Sequence, residues 1–310
     1  MTTPLLTKRA LLLKKIEGTY NTDANPTPAA NAVLVSEPEF TVDPKVLSRN
    51  YARRSISQLP HRMGRKLAGM KFSHELRGSG DPAVSPDIGL FLRTCGMSET
   101  QITDGPAQVG AVRRHALSAV GPAVAWGSAD MGATSPPEPI LYTIVVTKAG
   151  ASGAAQVSIT PDKNAVDNGY DAAQTAVTLT SGTAVELAAN DNGGAITPTW
   201  TGNLVLGQRW YTYVYPVGWL YEPVSDGFES STDYMYLDGI LHKMTGSIGT
   251  FTLEATAGEF GMLNMTYMGQ YIAPINSALP NGAIFEPSEP PIFENANMTI
   301  DDYSAVINKI

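Results

Sequence analysis

An Asp, a His and a Lys stand within six positions of one another in STDYMYLDGILHKMTG, residues 231–246, around an Asp-Gly pair. Asp238, His242 and Lys243 are the residue types of an acid–base cluster, which works only if they converge on one reacting atom. Their spacing argues against convergence. Asp238-Gly239 is the two-residue loop that favours a type I′ hairpin turn, because both central positions need positive φ. That register pairs Leu237 with Ile240, Tyr236 with Leu241, Met235 with His242 and Tyr234 with Lys243. His242 then shares a face with Met235, Lys243 lies across from Tyr234 on the other face within cation–π reach, and Asp238 sits at the turn tip. The three polar side chains disperse, and a structural hairpin is the better reading.

Other reactive types are isolated. Cys95 is the only cysteine, so no intrachain disulfide can form, and it has no evident His partner. His61, His74, His115 and His242 show none of the close spacings of a zinc site. PDKNAVDNGYD (161–171) lacks the alternating ligands and distant Glu of a calcium loop. HRMGRKLAG (61–69) lacks the Gly-Lys-Ser/Thr ending of a phosphate loop. The reading is of a protein without catalytic centre, metal or cofactor.

The elements that must position these residues are mostly strands. The chain is 43% hydrophobic and only 16% charged, with 29 Gly and 22 Pro among 310 residues, which favours a turn-rich β fold. Residues 5–19 read as a short amphipathic helix with Leu5, Leu6, Leu12, Leu13 and Ile16 on one face. A strand is expected over 32–43, with Val33, Val35 and Phe40 as its apolar positions, and another in LAGMKFSHELRGSG. Ser85, Pro86 and Gly96 bracket a helix at 86–95. About 44–66 reads as a long basic loop and about 104–135 as an arm. From 138 to 215, short alternating runs rich in Val, Thr and Tyr recur between turns, the pattern of a small β-sandwich inserted into a host formed by 1–137 and 216–310. TFTLEATAGEF and MLNMTYMG then form a hairpin with one oily face and one polar face.

Charge divides along the chain. Residues 1–132 carry 16 Lys/Arg against 11 Asp/Glu, and 133–310 carry 5 against 18, within a net charge of −8. Overall acidity argues against non-specific DNA binding. Opposite charges in two halves suit copies that stack head to tail. No run approaches the ~18 apolar residues of a membrane span, and the N-terminus does not read as a signal peptide, so assembly in the cytoplasm is expected.

The order of motifs resembles the tail tube (major tail) proteins of long-tailed bacteriophages. LLTKRALLLKKIEGTYNTDANPT leads into AVLVSEPEFT, GMKFSHELRGSG and PDIGLFLRTCGM. Later comes YMYLDGILHKMTGSIGTFTLEATAGEFGMLNMTYMGQYIAP. The match spans about residues 5–100 and 218–300, with Asp238-Gly239…His242, Gly246…Gly249, Ala257-Gly258-Glu259 and Gly269…Pro274 as its firmest pieces. The resemblance implies a mainly β fold: a β-barrel-like domain with one or two short helices, forming hexameric rings that stack into a hollow tube in the virion. It implies as partners further copies of the chain, a tape measure protein, tail-end or terminator proteins, and double-stranded DNA that passes without specific binding. On that basis Thr252, Glu254, Thr256, Asn264 and Thr266 are expected toward the bore. Arg53, Arg54, Arg62, Arg65 and Lys66 are expected at contacts between rings or subunits, and the 138–215 module is expected outside the tube with an immunoglobulin-like look. The competing reading is a carbohydrate- or cell-surface-binding adhesin using Trp200, Trp210, Tyr211 and Tyr213, although RWYTYVY is more simply a core strand.

Overall fold

The computed structural model describes residues 9–310 apart from 50, 52–53, 55–58, 104, 106–107, 130–135, 137–138, 163–172, 188–193, 238, 294–296, 301–302 and 307–310. The fold is mainly β. In chain order it runs β1 (Ala10–Ile16), α1 (Pro28–Asn31), β2 (Ala32–Val33), β3 (Ser36–Leu47), β4 (Arg62–Glu75), α2 (Asp87–Arg93), β5 (Met97–Ile102), β6 (Arg113–Arg114) and β7 (Ala125–Ala129). Next come β8 (Ile140–Lys148), β9 (Gln156–Pro161), β10 (Gln174–Thr178), β11 (Val185–Glu186), β12 (Ala195–Thr199) and β13 (Arg209–Val214). The chain ends with β14 (Gly218–Pro223), β15 (Ser231–Leu237), β16 (Ile240–Glu254), β17 (Met262–Asn276), β18 (Asn297–Ile300) and β19 (Tyr303–Val306). Two compact units result: Met1–Glu99 with Tyr221–Ile310, and Thr100–Leu220.

The first unit is built on one seven-stranded antiparallel sheet, in the order β2-β1-β15-β16-β17-β4-β3. Its two edges belong to strands nearly adjacent in sequence. β2 ends at Val33 and β3 starts at Ser36, a step of at most ~10–11 Å for three residues. A flat sheet with strands ~4.8 Å apart would hold those edges about 29 Å from each other. The sheet therefore curls until its edges meet, with Leu34 and Val35 at the seam. One contact records the curl: the rings of Phe40 on β3 and His242 on β16 are 4.8 Å apart although two strands lie between them. At the seam, His74 Nδ1 lies 2.7 Å from the Leu34 carbonyl.

The concave side holds Leu12, Met70, Phe72, Met235, Met244, Met265 and Tyr267, with Phe91 of α2 set among them. α2 is shorter than the expected 86–95: Pro86, expected as its first residue, is the extended residue before it, while Gly96, at φ +86°, follows the helix as its type predicts. Ser85 does not cap the helix; the Asp87 amide instead donates to Glu286 Oε2 from a distant segment (2.9 Å).

Three expectations need correction. Residues 10–16 form a strand, not part of a helix, because β1 is covered on both faces: Leu11 and Leu13 pack with Tyr234 and Leu241, and Leu12 with Met235. A strand buried on both sides has no alternation to read and looks like a buried helix. The expected loop at 44–66 is shorter at both ends, since β3 runs to Leu47 and β4 starts at Arg62, which leaves 48–61 between the strands. The expected arm at 104–135 supplies β6 and β7 to the sheets of the second unit, which is accordingly longer than 138–215. These edge strands are two and five residues long and pair through their backbones, so their side chains carry little pattern.

The second unit contains a five-stranded sheet, β10-β9-β8-β13-β6, and a three-stranded sheet, β11-β12-β7. They share one apolar core, including Ile140, Tyr142, Ile144, Val157, Trp200 and Trp210. β8 alternates buried and half-exposed positions from Ile140 to Val146, the expected signature of a sandwich strand.

Candidate functional site

The Asp-Gly hairpin adopts the predicted register: Leu237↔Ile240, Tyr236↔Leu241, Met235↔His242 and Tyr234↔Lys243. Asp238 lies outside the described residues. His242 packs on Phe40, and burial lowers the pKa of its imidazole. Lys243 Nζ stands 4.2 Å from the centre of the Tyr234 ring and donates to the Tyr234 hydroxyl (2.8 Å) and to Asp23 (3.3 Å). The Tyr234 hydroxyl in turn donates to the Asp23 carboxylate at 2.6 and 2.7 Å. Burial pushes the Asp23 carboxyl upward, but bonds from Tyr234, the Asn25 amide and Lys243 outweigh it and hold it below its ordinary value. His242 and Lys243 thus serve different faces, and no shared proton path links them.

A second polar network escaped the reading of the sequence. Lys14, fully buried, donates to Ser231 Oγ (2.6 Å) and Asp233 Oδ1 (2.9 Å) and lies 3.6 Å from the centre of the Tyr267 ring. Burial lowers the Lys14 pKa, and Asp233 opposes that shift. One turn of chain later, Glu17 accepts four bonds of 2.7–2.8 Å, from the Asn21 and Gly246 amides and the Ser230 and Thr232 hydroxyls. The Tyr267 hydroxyl lies 3.0 Å from Thr94 Oγ1 and 3.2 Å from the Phe91 carbonyl, pinning α2 to the sheet. Cys95 Sγ sits 3.7 Å from the same hydroxyl, and burial raises its thiol pKa, the opposite of what a nucleophile requires. The only sequence signal was a lysine at the end of a leucine run. Its partner, 219 positions on, is identified only by strand pairing.

The convex side carries a continuous polar surface. Thr252 of β16, Asn264 of β17, Ser73 of β4 and Ser36 of β3 form one cross-strand row, and Thr250, Thr266, Lys71 and Glu39 form the next. Ser73 donates to Asn264 Oδ1 at 2.6 Å. Thr252, Glu254 and Thr266 are exposed and Asn264 half-exposed, while Thr256 lies past the end of β16 in the turn. The structure therefore gathers Thr252, Asn264 and Thr266 on one face, puts Glu254 at its rim and leaves Thr256 off the strand. Ile248 and Met268, opposed to each other, interrupt the polar pattern further along.

The expected basic residues separate into two groups. Arg62, Arg65 and Lys66 are exposed on β4, and Arg54 is exposed in the connection before it, whereas Arg53 lies outside the described residues. β17 stops pairing with β4 at Gln270↔Leu67, so Pro44–Leu47 and Arg62–Lys66 continue as a two-stranded ribbon beyond the third strand. No Asp or Glu occurs between Asp43 and Glu75. Every charge on the ribbon is therefore cationic, beside the exposed apolar side chains of Val46, Leu47 and Met63.

In the second unit Trp200 and Trp210 are core residues, whereas Tyr213 is exposed and stacks on Tyr215 at 5.9 Å. Among the described residues no group of three or more His, Cys, Asp or Glu could hold a metal ion. Nor is any described helix long and apolar enough to cross a membrane. No known protein-family model and no curated protein matches the chain.

Proposed function

We propose that this chain is the repeating structural unit of a bacteriophage tail tube, without catalytic function. Hexameric rings stack into a hollow tube that conducts the genome, assembled in the host cytoplasm and carried in the virion. In this reading the first unit is the tube barrel. The second is an immunoglobulin-like decoration on the outside, and tape measure and terminator proteins bind the assembled tube.

The observation that carries the proposal is the convex four-strand face of Thr, Ser and Asn on a self-closing sheet, joined to a cationic ribbon at one end. A face on which short hydroxyl and amide groups predominate, with its one lysine, Lys71, paired across the strands with Glu39, suits a wall past which DNA moves without adhering, since stable DNA binding needs a row of cations. Thr252, Asn264 and Thr266 then face the bore, with Glu254 and Thr256 at its edge. Arg53, Arg54, Arg62, Arg65 and Lys66 make contacts between rings, a heterologous association that does not close and so propagates.

Electron microscopy of the purified protein tests this directly: six-fold rings and tubes are expected, and monomers that retain glycans would overturn it. That outcome would favour the adhesin reading, to which the exposed Tyr213 and its neighbour Tyr211 on β13 lend some support. Contacts between rings made by exposed charges are screened by salt. Molar salt is accordingly expected to release intact rings before the rings themselves open, as followed by sedimentation.

A further inference from the structure

A groove of about 730 Å³ opens in the first unit at the base of the β3–β4 ribbon. Its floor is a bulge in β16, where the register with β17 shifts between Thr245 and Ile248. One glycine keeps the floor low: at Gly246, with φ +57°, a methyl group would stand 3.3 Å from the Tyr20 ring and from Asn21 Cβ. Asn21 braces the groove, donating to Gln270 Oε1 (2.6 Å) and accepting from Thr245 Oγ1 (2.8 Å). The walls are cationic on one side, with Arg65 and Lys66, and apolar on the other, where Tyr20, Ile248 and Met268 are 69, 39 and 56% exposed. Among the described residues no carboxylate lines it.

The turn that joins β16 to β17 has the opposite character. The turn after β16 is held by two bonds, from the Gly258 amide to the Phe293 carbonyl (2.7 Å) and from the Phe293 amide to the Glu259 carbonyl (2.9 Å). It presents Glu259 and Phe260 to solvent beside Glu254, with Phe260 45% exposed. An acidic, aromatic tip thus stands before the start of β17 and a basic, apolar groove at its middle. Within one chain they cannot meet: Met262 and Met268 are separated by six strand residues, about 20 Å, and Phe260 lies further out still.

We propose that the groove receives the Ala257–Phe260 turn of a second copy, with Phe260 on Ile248 and Met268 and Glu259 against Arg65. This rests on the tube reading and names the contact that stacks one ring on the next. Because the two halves of the contact lie too far apart to meet within one chain, each copy leaves one free groove and one free tip, so the contact repeats without closing.

Charge reversal tests the contact. Glu259→Lys alone, or Arg65→Glu with Lys66→Glu, is expected to lower the stacked fraction by about tenfold or more, and combining all three in one chain restores it. A second measurement does not depend on how the reversals fold. In a Cys95→Ser background, Phe260→Cys with Met268→Cys is expected to give a ladder of disulfide-linked multimers on oxidation, since the bond can form only between copies. If the unaltered protein forms tubes, yet Glu259→Lys stacks normally and no ladder appears, the inference is overturned and the tube reading stands. If there are neither rings, nor tubes, nor a ladder, both fall.

Discussion

The two units solve the problem of a β core in different ways. The second buries Ile, Val, Tyr and Trp between two sheets, and its fully buried polar side chains among the described residues are the uncharged Gln108, Gln208 and Thr212. The first buries Lys14, Asp233, Glu17, His74 and Arg77 beside an apolar interior. An ion pair withdrawn from water regains little net stability, but losing one partner leaves a charge stranded. The difference teaches that the sandwich is held by transfer of apolar area, whereas the curled sheet depends on polar partners met in one arrangement. Its stability should therefore be the more sensitive to mutation and to pH.

The largest effect expected from that contrast is at the ion pair. Asp233→Ala, which strands Lys14 at the centre of the first unit, should cost ~3–5 kcal/mol, read as a lowered thermal transition of that unit while the transition of the second stays put. Lys14→Met with Asp233→Leu should lose much less than the single change. Equal losses would mean that the charges themselves, and not the stranding of one of them, set the cost.

Acid should sharpen the same comparison. His74 Nδ1 meets the Leu34 carbonyl at the seam, and its Nε2 is buried with no hydrogen-bond partner, 4.9 Å ring to ring from Phe91. Burial holds its pKa below the ordinary 6.5, and Arg77 adds to that. A histidine depressed in the folded state is neutral there while the unfolded chain takes up a proton, so stability is intact above 6.5 and falls as pH drops through the window beneath it. The first unit should melt earlier at pH 5 than at pH 7, with the amides of β2 and β3 losing protection from hydrogen exchange first. His74→Gln should remove most of that pH dependence, and if the slope is unchanged the histidine is not its source.

The smallest effect is expected on the convex face. Thr252→Val alters an exposed strand position and should shift the unfolding free energy by no more than ~0.5 kcal/mol. A larger loss measured in the isolated chain would mean that the face has a packing role of its own.

Where the sequence was legible, the relevant interaction was short. The Asp-Gly turn sets its own register through the backbone geometry of two residues, so Met235↔His242 and Tyr234↔Lys243 could be read from the sequence. Pro86 and Gly96 bracket α2 for a similarly local reason. The polar alternation of Thr252, Asn264 and Thr266 also survived, since a strand with one wet face writes its period into the chain. Elsewhere the deciding partner was far away. Leu11–Leu13 became a strand only because β15 and β2 cover both of its sides, and residues 113–129 joined the second unit through backbone pairing that no side-chain period reports.

By itself, then, the sequence determined a β-rich chain, a hairpin without convergent acid–base groups, one helix and a polar strand face, because turn chemistry and side-chain alternation act over a few residues. Only the tertiary structure decided that the sheet curls until β2 and β3 meet, that Lys14 finds Asp233, and that a basic groove and an acidic tip stand apart along the same strands. Those outcomes depend on the pairing order of strands more than 200 positions apart, and no local pattern encodes that order.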